Sequence, residues 1–472
     1  MRTPPLPHTL LWLTALTAFS LVSTAIAQTM VPPGSPSGHW TLAGSPYIIV
    51  DNITIPPGET LTIDPGVTVW ITSNMTVTAN GSLIQAVGTP SQRITIAAAS
   101  SSYYYNKILV QNNTGTNRFK YCDFANAQTA ISMGAYGGNQ VMPVEIMNCT
   151  FSNCVSQAIY GEAKGTAGEH WTTIATLDPV IKNCVFSGIS NGCVILSSFN
   201  NYYAWIGIGY SNPRIVGNIF QNLTGTAFLM QVGSYAGGGS PVFINNTLVN
   251  CWGGVDATDP WDVRVQDNIF VGVTNAVKVS GSVSRTISFN DFYGNATNFT
   301  GLPSPYGLII WTNRNGTPAD ALYNIFQNPL FVGTSDFHLQ PNSACIDAGM
   351  PDWAYTDMCF PPSQGTSFPD QGAYGGPDAA NWLTVVPKLP VQVSLIQSNS
   401  FLWLNWGAIP RSSYQVEYLA TNLNATSRTN EWLINRTLTA VDKPVSIAVS
   451  PYPTTNNAGF YRVQSLGRTP GD

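Results

Sequence analysis

One phrase recurs along the middle of this chain. Aligned on an aromatic or aliphatic position, it reads "YCDF" (Phe124), "NCTF" (Phe151), "NCVF" (Phe186), "GNIF" (Phe220), "NNTL" (Leu248), "DNIF" (Phe270) and "FNDF" (Phe292). The steps between these positions are 27, 35, 34, 28, 22 and 22 residues, a basic period of 22 with additions in the earlier turns. Two residues before each apolar position, one column holds Cys122, Cys149, Cys184, Asn218, Asn246, Asn268 and Asn290. Eight or nine residues after that column a small residue opens an alternating run, as in "AISM" from Ala130, "AFLM" from Ala227 and "AVKV" from Ala276. Each period therefore holds at least two short strands that cannot bury their apolar faces alone, and stacking of periods into a solenoid buries them. The repeated aromatic fills the interior, and an Asn repeated once per turn can bridge neighbouring backbones as a ladder.

Composition agrees. Charged residues make up 9% of the 472, while 42 glycines and 11% aromatics suit turn-rich β structure. The net charge of −5 lacks the basic stripe that phosphate neutralisation requires, which sets nucleic acid aside. At the start, Arg2, the apolar run Leu10 to Val22 and the small residues Ala25 to Ala27 form a secretory signal, with cleavage expected after Ala27. No later stretch is long and apolar enough to span a membrane. Most of the eight cysteines fall inside the repeat as small apolar residues; Cys345 and Cys359 lie outside it and are the expected bridge.

Upstream, "GETLTIDPGVTVWI" and "MTVTANGSLIQAVG" continue the strand alternation with Pro-Gly and Asn-Gly turns. With "GSPYIIVDNITIPPGETLTIDPGVTV", the region from about Trp40 to Leu339 resembles a right-handed parallel β-helix of the pectate-lyase-like superfamily. The segment "NPLFVGTSDFHLQPNSACIDAG", followed by "DQGAYGG", resembles the closing segment of secreted bacterial β-helix proteins with varied C-terminal anchors. The expected organisation is all-β: a signal peptide (1–27), a right-handed parallel β-helix (28–340), a cap over the open end of the stack (341–384), a linker (385–390) and a small β-sandwich (391–468). The last unit, with alternating "FLWLNW" and "YQVEYL", resembles fibronectin-III-like or immunoglobulin-like modules. In the cap, Asp347, Asp352, Asp357 and Asp370 either hold a cation such as calcium or cap local turns.

Chemistry on a rigid solenoid sits on its outer faces or inserted loops. The extra residues concentrate in "GEAKGTAGEHW", "SSFNNYYAWIGIGYSNPR" and "MQVGSYAGGGSP", with "CWGGVDATDPWDVRVQD" following, and these insertions are expected on one side of the cylinder. They bring Trp171, Tyr202, Tyr203, Trp205, Tyr210, Tyr235, Trp252 and Trp261 into four successive turns. Flat rings beside hydrogen-bonding groups suit a pyranose, whose C–H face stacks while its hydroxyls are bonded; the same rings can instead pack the loops down. The candidate catalytic groups are Glu162, Lys164, Glu169, His170, Asp256, Asp259, Asp262 and Arg264. Asp259 or Asp262 with Glu162 or Glu169 would suit glycoside hydrolysis, and Lys164 or His170 with Arg264 would suit β-elimination from a uronate. An Asp-rich turn, a structural His and a solvated Arg remain the competing readings. The Asn-Thr-Asp, Asp-Asp, Gly-His-Gly and Arg-Ile-Lys signatures of the polygalacturonase branch are absent. Two functions follow: a secreted bacterial polysaccharide-binding protein, as lyase or hydrolase if an enzyme, or a non-catalytic spacer or adhesin. A monomer is the expected state.

Overall fold

The computed structural model describes residues 28–382, apart from 35, 169–170, 199, 203–204, 233–236, 282–283, 358–361 and 367, and beyond them the backbone of strands between 393 and 468. The expected signal segment and linker lie outside the described residues.

Residues 29–300 wind into a right-handed parallel β-helix with three strands per coil. The plain coil shows the plan: Ile269–Val271 in sheet I, Asn275–Ser280 in sheet II, Ser284–Ser288 in sheet III, then Asp291–Tyr293 back in sheet I. Register reproduces the sequence period: Phe124 pairs with Phe151, Phe151 with Phe186, Phe186 with Phe220, Phe220 with Leu248, Leu248 with Phe270, and Phe270 with Phe292. The repeated phrase and the run after it form sheets I and II. Sheet III comes from runs such as "VEIM", "VIK", "RIV" and "VFI" just before the phrase, and upstream from the alternating Thr60–Ile63 and Leu83–Val87.

The interior is ordered by two ladders. Phe124, Phe151, Phe186 and Phe220 stack with centroids 5.0, 4.8 and 4.6 Å apart, and Phe270 stacks on Phe292 at 4.9 Å. In the second ladder each Asn accepts, through Oδ1, the backbone N–H and side-chain amide of its counterpart one coil earlier. Asn246 N and Nδ2 lie 2.8 and 3.0 Å from Asn268 Oδ1, and Asn268 N and Nδ2 lie 3.0 and 2.9 Å from Asn290 Oδ1. Each Nδ2 also donates to a sheet III carbonyl of the preceding coil, as Asn268 does to Phe243 O at 2.9 Å. Cysteine fills the same slot: the Cys149 thiol donates to Phe119 O at 3.3 Å, and Cys184 N–H donates to Asn218 Oδ1 at 2.9 Å. The ladder runs one rung past the repeat to Asn324, whose amide groups end on the buried Asp320 carboxylate. The residue before each rung turns the corner in the left-handed region: Asn148, Asn183, Asn245 and Asp267 at φ 51–56° are types that tolerate it.

The far end of the stack is covered by residues 301–340, where Leu302, Tyr306 and Phe326 pack on the core beside Phe292 and Phe299. The segment expected to cap that end lies elsewhere. Residues 345–382 double back as a strap along the corner between sheets III and I: Met350 N donates to Asp267 Oδ1 (2.8 Å), and Asn245 Nδ2 donates to Asp370 O (3.1 Å). Further back, Lys182 pairs with Asp378 (2.9 Å) and Asn148 Nδ2 reaches Asn381 O (2.7 Å). Two peptide-rich surfaces thus satisfy one another along the ridge of left-handed residues. Beyond the strap, Val393–Ser398, Phe401–Trp406 and Val445–Val449 form one antiparallel sheet. Ser412–Asn422, Leu433–Thr439 and Asn457–Arg468 form another, the two-sheet composition of a small β-sandwich.

Candidate functional site

The insertions do fall at one corner, between sheets II and III. There the plain coils carry only 259–261 and 281–283, while the preceding coils carry 232–239, 197–211 and 163–177. Much of the added chain is strand rather than free loop. Tyr136 pairs with Lys164 and Lys164 with Ser198 in sheet II; Ile174 pairs with Ile208 and Thr176 with Tyr210 in sheet III. The prolonged sheets close on each other as a thin fin with Ala135, Ala163 and Ala175 fully buried between them. At Gly207 a Cβ would stand 2.4 Å from the carbonyl of Gly165, so only glycine permits this approach.

The fin has two flanks, and they divide the candidate residues. On the sheet II flank, Tyr136 Oη donates to Glu162 Oε2 at 3.2 Å, with Tyr160 and Lys164 on neighbouring outward positions. Burial, reinforced by the Glu162 charge, raises the Tyr136 and Tyr160 phenols above their ordinary range. On the sheet III flank, Val263 and Val265 point inward and are fully buried, so Asp262 and Arg264 face out, as alternation requires. Arg264 Nη1 donates to the hydroxyl of Tyr355 on the strap at 3.0 Å.

Near the start of the same strands, the rings of Tyr210 and Trp261 lie 4.8 Å apart at 53°, and Trp261 rests on Gly238, where a Cβ would come within 2.1 Å of the ring. Trp261 remains 56% exposed, so its packing is one-sided. Between the rings and the arginines runs a polar row: Asn212 Nδ2 donates to Asp178 Oδ1 (2.9 Å), and Ser240 N donates to Asn212 Oδ1 (3.1 Å). The outcome is a strip over sheet III bordered by Tyr210 and Trp261 at the fin and by Tyr355 at the strap, with Arg214 and Arg264 on alternate coils.

Of the expected catalytic sets, the pairings built on Glu162 or Lys164 are not gathered. Glu162 and Lys164 stand on the flank opposite Asp262 and Arg264, and Asp259 turns the corner at φ 51° with its N–H on Ser280 O. Along sheet II, Glu162 is three pairings from Thr258, beside Asp259, which is about 14 Å at strand spacing. Asp256 is held by Lys278 at 3.0 Å. Trp252, 57% exposed, sits at the corner between sheets I and II, away from the fin. Glu169, His170, Tyr203 and Tyr235 lie outside the described residues, as do the side chains of Trp171, Tyr202 and Trp205, whose backbones belong to strands of the fin.

The strap aspartates act as caps for loop amides: Asp347 Oδ1 accepts from Thr366, Asp352 Oδ1 from Ala354 N, Asp357 Oδ2 from Asp370 N, and Asp370 from Asp347 N and Gln364 N. Among the described residues, no three His, Cys, Asp or Glu side chains gather as a metal site, and no helix is long and apolar enough to cross a membrane. Cys345 is buried with its thiol on Asp291 Oδ2 at 3.4 Å; its expected partner Cys359 lies outside the described residues.

The fold and the fin define a right-handed parallel β-helix with one decorated corner. In agreement, the profile of the right-handed β-helix region matches residues 136–321. None of the curated proteins compared matches the sequence. Among solved structures, two similar ones are mutants of the tailspike protein of E. coli bacteriophage HK620 in complex with pentasaccharide. They are 9% and 10% identical over 88% of this chain and 87% of theirs, with TM-scores of 0.17 and 0.16.

Proposed function

We propose that this is a secreted bacterial polysaccharide-binding protein whose binding surface is the sheet III strip between the fin and the strap. The observation that supports it is the Tyr210–Trp261 pair, one ring half-buried as a base and the other 56% exposed beside a row of fixed hydrogen-bonding groups. An extended sugar chain laid along the axis meets an aromatic face on one side and amide, hydroxyl and guanidinium groups on the other.

Binding rather than cleavage is what the geometry favours. Asp178 and Asp262, the carboxylates of the strip among the described residues, lie three coils apart, about 14 Å, beyond the separation that either glycosidase geometry uses. Neither Lys164 nor Glu162 reaches this flank. The test is a polysaccharide panel run on affinity gels beside assays for reducing ends and for unsaturated products. Retardation by at least one polymer without product in either assay supports binding. Product formation moves the protein to the lyases or hydrolases, and no retardation by any polymer leaves a spacer or adhesin.

A further inference from the structure

The strap that borders the binding strip is fastened over two buried acids. Asp267 is fully buried, with Oδ1 accepting Met350 N–H at 2.8 Å and Oδ2 without any partner. Asp291, one coil on and equally buried, accepts Gln327 N–H at 2.9 Å and faces the Cys345 thiol. Among the described residues, no Lys, Arg or His pairs with either carboxylate. The titratable groups around the seam are Cys345, Asp347, Asp357 and Asp370 on the strap, Arg264 three residues before Asp267, and His338, whose ring stacks on Tyr374 at 3.7 Å. A carboxylate charge sealed there meets only N–H and thiol donors and no cation, whereas release of the strap would return it to water.

We propose that the strap is a proton-operated border of the strip, fastened when Asp267 and Asp291 are protonated and loosened as they ionise, so that polymer binding weakens from acid towards neutral pH. The inference rests on the strip being the binding surface. The coupling is short: Asp267 directly follows the strand that carries Arg264, and Tyr355, which Arg264 holds, lies five residues beyond Met350, which Asp267 holds.

Burial pushes both carboxyls up to about 7, against an ordinary value of 3.8, opposed only by the N–H and thiol donors. The sign follows from linkage. The fastened state keeps its protons up to its raised value, while the loosened state loses them near the ordinary one. Fastening is therefore complete in acid, weakens by up to about tenfold per pH unit per carboxyl on the way up, and levels off above neutrality.

The test is amide exchange at Met350 and Gly372, expressed as protection over unfolded-chain rates at the same pH so that intrinsic base catalysis cancels. Protection should fall at least tenfold from about pH 5 to about pH 8. It should fall less in Asp267→Asn, which retains the acceptor for Met350, and stay flat in Asp267→Asn/Asp291→Asn. Flat protection in the unaltered protein overturns the proposal, as does a fall that survives in the double variant. Tyr355→Phe should lower affinity for a polymer found by the panel without altering the exchange profile. If the strap titrates but polymer affinity is independent of pH, the border role is refuted; if no polymer binds at all, the functional reading fails while the exchange result stands.

Discussion

Replacing Asn268 with alanine removes one rung of the interior ladder, and the structure gives the cost. Four side-chain bonds disappear: two accepted from Asn246 and two donated, to Phe243 O and Asn290 Oδ1. Not all the partners are stranded. Asn290 Oδ1 keeps the Asn268 N–H, and Asn246 Nδ2 keeps the carbonyls of Ile215 and Ile244. Asn246 N–H and Phe243 C=O lose their acceptor and donor inside a sealed core, at about 1–3 kcal/mol each, for a total of about 4 kcal/mol. Asn268→Cys should cost clearly less, because three coils already place a thiol in this slot, with Sγ donating to the equivalent carbonyl as Cys149 does to Phe119 O. Urea unfolding followed by tryptophan fluorescence and far-UV CD reads both variants. Equal losses, or an alanine loss below about 1 kcal/mol, would refute the view that the ladder holds the coils through paired backbone groups.

Phe186→Ala removes a ring stacked on both sides, at 4.8 Å from Phe151 and 4.6 Å from Phe220, and should destabilise by about 3–5 kcal/mol in the same assay. Trp261→Ala should weaken polymer binding at least several-fold while Trp252→Ala, at the other corner, leaves it unchanged, as read on affinity gels. Gly207→Ala should open the fin, detected as faster amide exchange at Ile208 and Thr173, since no side chain fits against Gly165. The thiols of Cys154 and Cys251, pushed up to about 12 by burial, should resist a thiol reagent at about pH 8 until the protein unfolds.

The solenoid was legible because each coil must repeat the residues that meet their own copies above and below. The 22-residue ruler, the Phe column and the shared Asn and Cys slot all express that constraint, and laying the ruler on the longer coils located the fin. Inside the repeat most of sheet III escaped because its strands precede the phrase used for alignment; upstream, Thr60–Ile63 and Leu83–Val87 lie within runs whose alternation was legible. The strap was misplaced because it makes no periodic contact. Its bonds pair backbone groups and left-handed Asn or Asp residues of distant coils, such as Asn245 with Asp370, which leave little mark on composition. The site divides similarly. Tyr210, Trp261, Asp262 and Arg264 share one flank, as their clustering suggested, but sequence proximity could not show that Glu162 and Lys164 belong to the other face of a two-sheet fin. Tyr355, Asn212 and Ser240 were missed, the first because it arrives from the strap and the others because their roles depend on sheet III register.

The most direct test of the central claim is a hydrogen-exchange footprint of the protein saturated with a polymer from the panel. Protection confined to the segments containing Tyr210, Asn212, 238–240, 261–264 and Tyr355 is the predicted result. Protection instead around Tyr136 and 160–164, or at Trp252 on the far corner, would contradict it.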